Sequence, residues 1–355
     1  MQEKLIKMYN MFKIIMVILM SHEIDLKKYN LRTDLIIENN NYIEDNKVKQ
    51  YDDIKITKVF VNNDEAKKIN KKQGNYFTIE FEDVTDEENQ KKLKKHFIKT
   101  IKEILKPIIN DDSSILIVGL GNQESTPDSL GPKVIENITV TRHLFLLNEL
   151  DDDFRPVSAF IPGVMGNTGI ETSELIKKAV NSSKADILIV IDALASMSVE
   201  RVNKTIQITD TGINPGSGIG NNRKEISKDT IGIPVIAIGV PTVVDAVSIV
   251  SDTIKYMHKN YAFNKKFINN PINKLVSSTK INYLKEQIEI DDKDKSLLLG
   301  LVGTLTENEV RNLINEVLSP IGYNFMITPK EIDFQVKNLS NVIADSLNEA
   351  LKKTT

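Results

Sequence analysis

Three uninterrupted apolar runs dominate the middle of the chain, at residues 115–120, 187–191 and 234–240. Runs rich in Ile and Val that do not alternate with polar residues are typical of strands buried on both faces. Each run leads through a turn rich in Gly, Pro or Asp into a segment compatible with a helix. The pattern predicts a parallel βαβ core, with residues 171–180 and 244–257 as crossover helices on the two faces of the sheet.

Periodic segments on either side of this core predict further elements. Thr306 and Glu309 form a capping box at the start of an amphipathic pattern. Residues 261–295 are rich in Asn and Lys and have little periodicity, so they predict a linker or surface insertion. The remaining predictions are strands at 74–83 and 297–299 and helices at 88–106, 306–318 and 336–351.

Composition narrows the class of protein. A length of 355 residues indicates two domains, or one α/β domain with appendages. Hydrophobic residues at 41% and charged residues at 27% exclude wholesale disorder and a fibrous repeat. The formal charge of −3 argues against a protein that wraps DNA. With no Cys there is no disulfide, thiolate nucleophile or Cys-based metal site, and a cytoplasmic location is expected.

The N-terminal apolar run, residues 14–20, is too short to cross a bilayer, which needs about 20 residues. The residues that follow it, from Ser21 to Asp25, do not form the small-residue cleavage site of a signal peptide. No membrane association is therefore expected. We interpret Met20 as the true translation start and residues 1–19 as an artefact or an unstructured extension.

Histidine chemistry is disfavoured because the four His residues are scattered and none forms an i, i+4 ligand pair. We therefore predict no metal and no cofactor. No GxSxG nucleophile motif is present either. Carboxylates remain as the candidate reacting groups.

Two aspartates follow predicted strands, Asp128 in the Thr-Pro-Asp loop after residues 115–120 and Asp192 directly after residues 187–191. Ligands of open α/β sheets bind beyond the carboxyl ends of the strands, so the two acids are expected to converge. Neighbouring carboxyl groups can share a proton, because both cannot stay ionised close together. Such a pair suits peptide hydrolysis. Spacing alone favours structural roles instead, in which Asp128 caps a helix and Asp192 binds a turn.

A second glycine-rich stretch, residues 210–224, contains closely spaced glycines followed by Arg and Lys. The glycines at 216–220 are compatible with a phosphate-binding nest, although neither GxxxxGK[ST] nor GxGxxG is present. Asp210 begins an Asp-Thr-Gly sequence like that of pepsin-like proteases, whose all-β fold does not match this chain. We treat that likeness as coincidental and keep Asp210 as a candidate third acid.

Several motifs together resemble the germination protease family of spore-forming bacteria. They run in order over most of residues 22–351, and the resemblance is highly specific. The matching segments are residues 29–35, 119–122, 126–132, 162–172, 192–195, 201–203, 205–221, 233–246 and 328–333.

The resemblance implies an endopeptidase that degrades small acid-soluble spore proteins at germination. It implies a three-layer αβα sandwich with a mostly parallel sheet, similar to hydrogenase-maturation proteases, and a homotetramer located in the forespore and spore core. The family's proposed catalytic aspartates correspond to Asp128 and Asp192, the two acids selected above. Asn122, Thr126 and Thr168 are candidates to support the pair or position substrate, and Gly163 begins a loop that is expected to wall the cleft.

The resemblance also implies a zymogen that removes its own N-terminal segment. We predict the cut between Asp34 and Leu35, an acidic residue followed by apolar ones. Residues 1–34 are then an extension and propeptide, and residues 35–355 a single protease domain with an insertion around 261–295. The alternatives are a nucleotide-binding or phosphate-binding enzyme that uses the 216–220 nest, and a DNA-associated spore structural protein. Net charge and the absence of basic stripes disfavour the latter.

Overall fold

A computed structural model describes residues 33–38, 46–147, 153–216, 223–267, 283, 288, 290–318 and 325–353. The chain divides into two units, Met1–Leu31 and Arg32–Thr355, and every described residue belongs to the second. The predicted start at Met20 and the segment before Thr33 lie outside the described residues. The predicted domain boundaries therefore stay predictions.

Nine strands in the described part of the chain form one sheet, in the order β1-β2-β3-β7-β8-β6-β4-β5, with β9 paired to β8. The strands are β1 (Asn46–Tyr51), β2 (Ile54–Val61), β3 (Gly74–Glu80), β4 (Ile115–Gly119), β5 (Val157–Phe160), β6 (Ile187–Ser196), β7 (Thr205–Thr209), β8 (Val235–Asp245) and β9 (Met326–Ile327).

The centre of the sheet is parallel. Strands β5, β4, β6 and β8 are parallel neighbours, and the three predicted apolar runs correspond to β4, β6 and β8. Every residue of β4 is buried, because helices cover both faces of these strands. The predicted α/β class with a parallel core and a helical layer on each face is confirmed.

Antiparallel strands extend this core on one side. β7 pairs antiparallel with β8, and β3, β2 and β1 follow it outward, each antiparallel to its neighbour. The predicted strand at 74–83 is β3, which ends earlier, at Glu80. The N-terminal third of the chain thus contributes to the same sheet as the parallel core.

The described helices include the predicted ones. Residues 88–106, 306–318 and 336–351 are helical with small shifts at the ends, and helices α6 and α8 follow strands where crossover helices were expected. None of the helices in the described residues is both long and apolar enough to cross a membrane. The helices are α1 (Asn63–Ile69), α2 (Glu87–Leu105), α3 (Leu130–Ile135), α4 (Arg142–Leu147), α5 (Met165–Thr168), α6 (Thr172–Ser183), α7 (Lys228–Ile231), α8 (Ala246–Phe267), α9 (Asp292–Leu299), α10 (Glu307–Leu318) and α11 (Ile332–Ala350).

Apolar side chains pack on both faces of the sheet. On one face, α2, α3 and α11 cover side chains such as Ile189 and Ile191 of β6. On the other face, α6 covers Leu188 and Val190 of the same strand. Side chains of alternate residues of β6 therefore pack into the two helical layers. The Asp192 side chain projects to the same face of the sheet as Val190.

The predicted strand at residues 297–299 is wrong. These leucines form the last turn of α9, whose N-terminus is capped by the Asp291 side chain, which accepts a hydrogen bond from the Asp294 amide. Three consecutive leucines have no period of their own, so the preceding cap decides the structure. Part of the predicted insertion, residues 268–282, lies outside the described residues.

Candidate active site

The loop between β4 and α3 carries Asp128 at the end of a short 3-10 turn, Thr126–Asp128. Two glycines let this loop fold back on itself. A Cβ at Gly119 would lie 2.3 Å from the carbonyl oxygen of Gly131. Gly121 has φ +114, and a Cβ there would lie 1.9 Å from the carbonyl oxygen of Asp128. The glycine spacing in the sequence therefore reflects the close return of the loop that holds Asp128.

Asp128 binds the turn, and its carboxylate does not cap α3. The Asn122 amide donates to the Asp128 carboxylate at 2.9 Å and to its backbone carbonyl oxygen at 3.1 Å. Ser129 is the N-cap residue of α3, and no side chain caps that helix by a hydrogen bond. Burial raises the pKa of Asp128, and the Asn122 hydrogen bond partly opposes the rise. The carboxylate is held in place but keeps a tendency to bind a proton.

Asp192 lies within β6, which continues to Ser196, beyond the predicted end at residue 191. It is paired across the sheet with Gly239 of β8. The side chain is only 6% exposed, and its Oδ1 accepts the amide hydrogen of Ala193 at 2.9 Å. The 3-10 turn of Asp128 packs against β6. The structure therefore brings the two predicted aspartates to the same edge of the sheet.

Two neighbouring acids act on Asp192. Burial, the charge of Asp128 and the charge of Asp34 together raise its pKa well above the ordinary value, while the Ala193 hydrogen bond partly opposes them. A buried carboxyl group next to a second acid is the arrangement in which a pair shares one proton. Such a pair titrates as a unit, so the roles of acid and base belong to the pair.

Residues 33–38, which we call the N-terminal segment, lie against the end of β6. The Asp34 amide donates to the Ala195 carbonyl at 3.1 Å, and the Ala195 amide donates to the Asp34 carboxylate at 3.0 Å. Leu35 and Ile36 are fully buried in an apolar cluster with Leu194. The bond predicted to be cut is therefore docked on the strand that carries Asp192.

Glu38 anchors the other end of the segment. Its carboxylate is 3% exposed and pairs with Arg201 at 3.1 Å. It also accepts hydrogen bonds from the Ser196 hydroxyl at 2.8 Å and the Met197 amide at 2.9 Å, and from the Thr33 hydroxyl. Buried carboxylates need such partners, so the segment is fixed in one register.

The other candidate residues lie on loops. Asn122 contacts Asp128 through its backbone, as described above. Thr126 accepts a hydrogen bond from the Ser129 hydroxyl through its carbonyl. Gly163 has φ +71, and the Thr168 hydroxyl bonds within the same loop, to the backbone of Val164 and Ile170. These contacts hold the loops together and do not test substrate binding, so the proposed roles of Asn122, Thr126, Gly163 and Thr168 stay predictions.

Asp34, and not the predicted candidate Asp210, is the third acid whose charge acts on Asp192. Both oxygens of the candidate Asp210 accept hydrogen bonds from Asn75, at 2.8 Å from its amide and from its side chain, so Asp210 joins the end of β7 to β3. Most of the predicted phosphate nest, residues 217–222, lies outside the described residues.

Two further residues, neither of them a candidate from the sequence, contact the N-terminal segment. The side chain of Gln207 on β7 binds the backbone of Asp34 and Ile36. Lys71 donates to the carbonyls of Thr33 and Asp34. Gln207 stands between Ile206 and Ile208 in a buried strand, which is a weak signal of a special role. Nothing in the lysine-rich sequence around Lys71 distinguishes it from its neighbours.

Comparisons with known proteins agree with the resemblance. The family model of the germination protease matches residues 22–355. The germination protease of Bacillus cereus strain AH187 is 47% identical over 353 residues, covering 94% of this chain and 96% of that protein. That of Bacillus anthracis strain CDC 684 / NRRL 3495 is 47% identical over 354 residues with the same coverage.

Among solved structures, a NiFe hydrogenase maturation protease, HycI from Thermococcus kodakarensis KOD1, matches 39% of this chain and 80% of that chain. The identity is 18% and the TM-score 0.25, a likeness too weak to bear on the fold or the site. The family match and the relatives, by contrast, cover nearly the whole chain. The chain belongs to the germination protease family.

Proposed function

We propose that this endopeptidase hydrolyses peptide bonds with a water molecule activated between Asp128 and Asp192. Membership of the family makes the chain a peptidase of spore germination, and the proposal adds the reacting groups. The observation that carries it is the buried carboxyl group of Asp192, whose pKa is raised by burial and by the charges of Asp128 and Asp34. A pair that shares one proton contains an acid and a base at the same pH.

The hydrolysis step uses both forms of the pair. The ionised carboxylate takes a proton from water as the water oxygen bonds to the scissile carbonyl carbon. The carbonyl π electrons move onto oxygen, where the protonated carboxyl group donates a hydrogen bond. When the tetrahedral intermediate collapses, the carbon–nitrogen bond breaks and the pair returns a proton to the leaving amine. The products are a carboxylic acid, which passes its remaining proton to the amine or to solvent, and an amine, and the pair is regenerated with one proton.

The test of the pair uses isosteric variants. Asp128→Asn and Asp192→Asn should each lower the cleavage rate of a small acid-soluble spore protein by at least about 1,000-fold, because general acid–base groups contribute up to about 10⁴. Asp186→Asn is the matched control, since Asp186 precedes β6 at its other end and accepts a hydrogen bond from Ser114. Fragments would be followed by mass spectrometry. Full activity in either active-site variant would refute the assignment.

We also propose that the uncut chain is a zymogen that cleaves itself between Asp34 and Leu35. The docking of Asp34 on Ala195 and its electrostatic effect on Asp192 support this proposal. While the segment is docked, it covers the strand end that a substrate would need. Incubation of the purified full chain should yield a new N-terminus at Leu35, and a cut at another bond would contradict the proposed site.

Small acid-soluble spore proteins in the spore core are the proposed substrates, and a homotetramer the proposed assembly. Large apolar side chains on α9, α10 and the region of β9 support self-association, because exposed apolar surface commonly marks an interface. Leu297 is 75% exposed, Val317 71% and Phe325 54%. Light scattering should give about four times the chain mass of 40.0 kDa. A single-chain mass at micromolar concentration would contradict the tetramer.

A further inference from the structure

The backbone carbonyl of Asp34 belongs to the peptide bond that the proposed function has the enzyme cut. Its oxygen accepts a hydrogen bond from the Gln207 side-chain amide at 3.1 Å and another from the Lys71 ammonium group at 3.3 Å. The Lys71 ammonium also donates to the Thr33 carbonyl at 3.1 Å. Two side-chain donors, one of them charged, therefore converge on the oxygen where negative charge develops during hydrolysis.

Gln207 holds the chain on both sides of this bond. While its Nε2 donates to the Asp34 carbonyl, its Oε1 accepts the amide hydrogen of Ile36 at 2.6 Å. One side-chain amide thus offers the peptide both a hydrogen-bond donor and an acceptor. The Gln207 side chain is itself buried, at 7% exposure, so its orientation is restricted. This clamp fixes the position of the Asp34–Leu35 peptide unit.

The clamp lies beside the aspartate pair. Gln207 of β7 and Asp192 of β6 are both paired with the same residue of β8, Gly239. Residues opposite each other on neighbouring strands project to the same face, and two strand spacings separate these Cα atoms by about 10 Å. Gly239 has no side chain between them, and the Leu194 side chain occupies the space that a Cβ would enter. The peptide held by Gln207 therefore lies on the same face of the sheet as the Asp192 carboxyl group.

Lys71 is placed to meet negative charge. Burial lowers its pKa, while the charges of Asp34 and Glu38 raise it in part. Its neighbour Lys72 is engaged quite differently, with Glu225 at 2.8 Å and Asp229 at 3.0 Å. Among the described contacts, Lys71 binds the backbone of the N-terminal segment and Lys72 does not.

We propose that Lys71 and Gln207 form the binding site for the scissile carbonyl when the uncut chain cleaves itself. This inference rests on the proposed function. When the water oxygen bonds to the carbonyl carbon, the π electrons move to the oxygen held by the two donors, and the water proton goes to the aspartate pair. Fixed donors bind the resulting oxyanion more strongly than the neutral carbonyl, and loss of one such donor typically costs about 10²–10³ in rate.

The experiment measures self-cleavage of the full chain by intact mass, together with hydrogen exchange of residues 33–38. Lys71→Met should slow cleavage by about 100-fold or more, while the amide of Ile36 keeps its protection because Gln207 and the Glu38 anchor remain. Lys71→Arg should restore at least part of the rate, since it keeps a charged donor. Gln207→Met, which lacks the amide, should also slow cleavage. Lys72→Met is the matched control and should cleave at the wild-type rate.

The result will differ if Lys71 and Gln207 only hold the N-terminal segment in place and do not stabilise the oxyanion. If the rate falls only in proportion to lost protection of the segment, or if Lys71→Met cleaves within threefold of wild type, the carbonyl site is refuted. Asp192→Asn supplies the uncut reference for hydrogen exchange and tests the proposed function separately. If Asp192→Asn is active while Lys71→Met is not, the pair is wrong and the carbonyl site stands. A wild-type chain that does not cleave itself overturns both the carbonyl site and the proposed self-cleavage.

Discussion

Replacement of Asp192 by Asn should change the pH dependence of folding stability in a direction fixed by the structure. The folded protein holds the Asp192 proton to a higher pH than the unfolded chain, whose carboxyl group follows the ordinary value of 3.8. This contribution to stability is complete below that value. It is lost as the pH rises toward the raised pKa of the folded state. Asn stays neutral throughout, so the variant lacks this loss.

The magnitude follows from one proton. While the folded state binds one proton more than the unfolded state, the free energy of unfolding falls by about 1.4 kcal/mol per pH unit. Above about pH 4, the stability of Asp192→Asn relative to wild type should therefore rise with pH, by up to about 1.4 kcal/mol per pH unit, until the pH passes the raised pKa of the folded state. The pKa of Asp128 is raised as well, and its contribution has the same sign in both proteins.

Urea unfolding at a series of pH values measures this difference. Both proteins must be at one concentration, and intact mass must show that neither has been cut. Asp292→Asn, at a side chain that is 87% exposed, controls for the loss of one aspartate. A stability difference that is flat or that falls with pH would refute the inference that Asp192 is buried beside other acids.

Three further substitutions probe the supporting structure. Glu38→Gln removes the buried charge that pairs with the partly exposed Arg201 and should lower the free energy of unfolding by about 2 kcal/mol; an unchanged urea midpoint would contradict this. Gly121→Ala places a methyl group against the Asp128 carbonyl and should lower peptidase activity about 100-fold while the circular dichroism spectrum is retained. Wild-type rates would show that the turn adapts. Arg155→Met leaves buried backbone carbonyls at the C-terminus without their donor and should cost about 2 kcal/mol, measured by thermal unfolding, whereas an unchanged melting temperature would count against it.

Residues whose role follows from local sequence were predictable. β4, β6 and β8 are recognisable because strands buried on both faces require unbroken apolar runs. Asp128 and Asp192 then follow from the rule that parallel strands present their carboxyl ends at one edge of the sheet. For these two residues, position along the chain and position in space are linked by the sheet itself.

The rest of the site depends on contacts between distant parts of the chain. Asp34 lies beside Ala195 only because the N-terminal segment docks on β6, and no period or motif encodes that contact. Lys71 resembles any surface lysine in the sequence, and Asp210 resembles a site acid although its carboxylate binds Asn75. Antiparallel pairing of β3 with β7 brings Lys71, which precedes β3, close to Gln207 of β7, and the sequence does not specify this pairing.

Electrostatics should make the two products of self-cleavage behave differently. Hydrolysis turns the Asp34 carbonyl into a second carboxylate of Asp34, so this residue then carries two negative charges beside the aspartate pair. The charge of Lys71 balances one of them, and the other is repelled strongly in a desolvated site. The upstream product should therefore leave. Leu35 and Glu38 are held by burial and by the pair with Arg201, which the cut does not touch. Hydrogen exchange should show residues 36–38 equally protected before and after cleavage, with residues 33–34 lost from the complex on gel filtration. If the downstream residues lost protection on cleavage, the Glu38 anchor would not be holding them, and the electrostatic account of release would lose its basis.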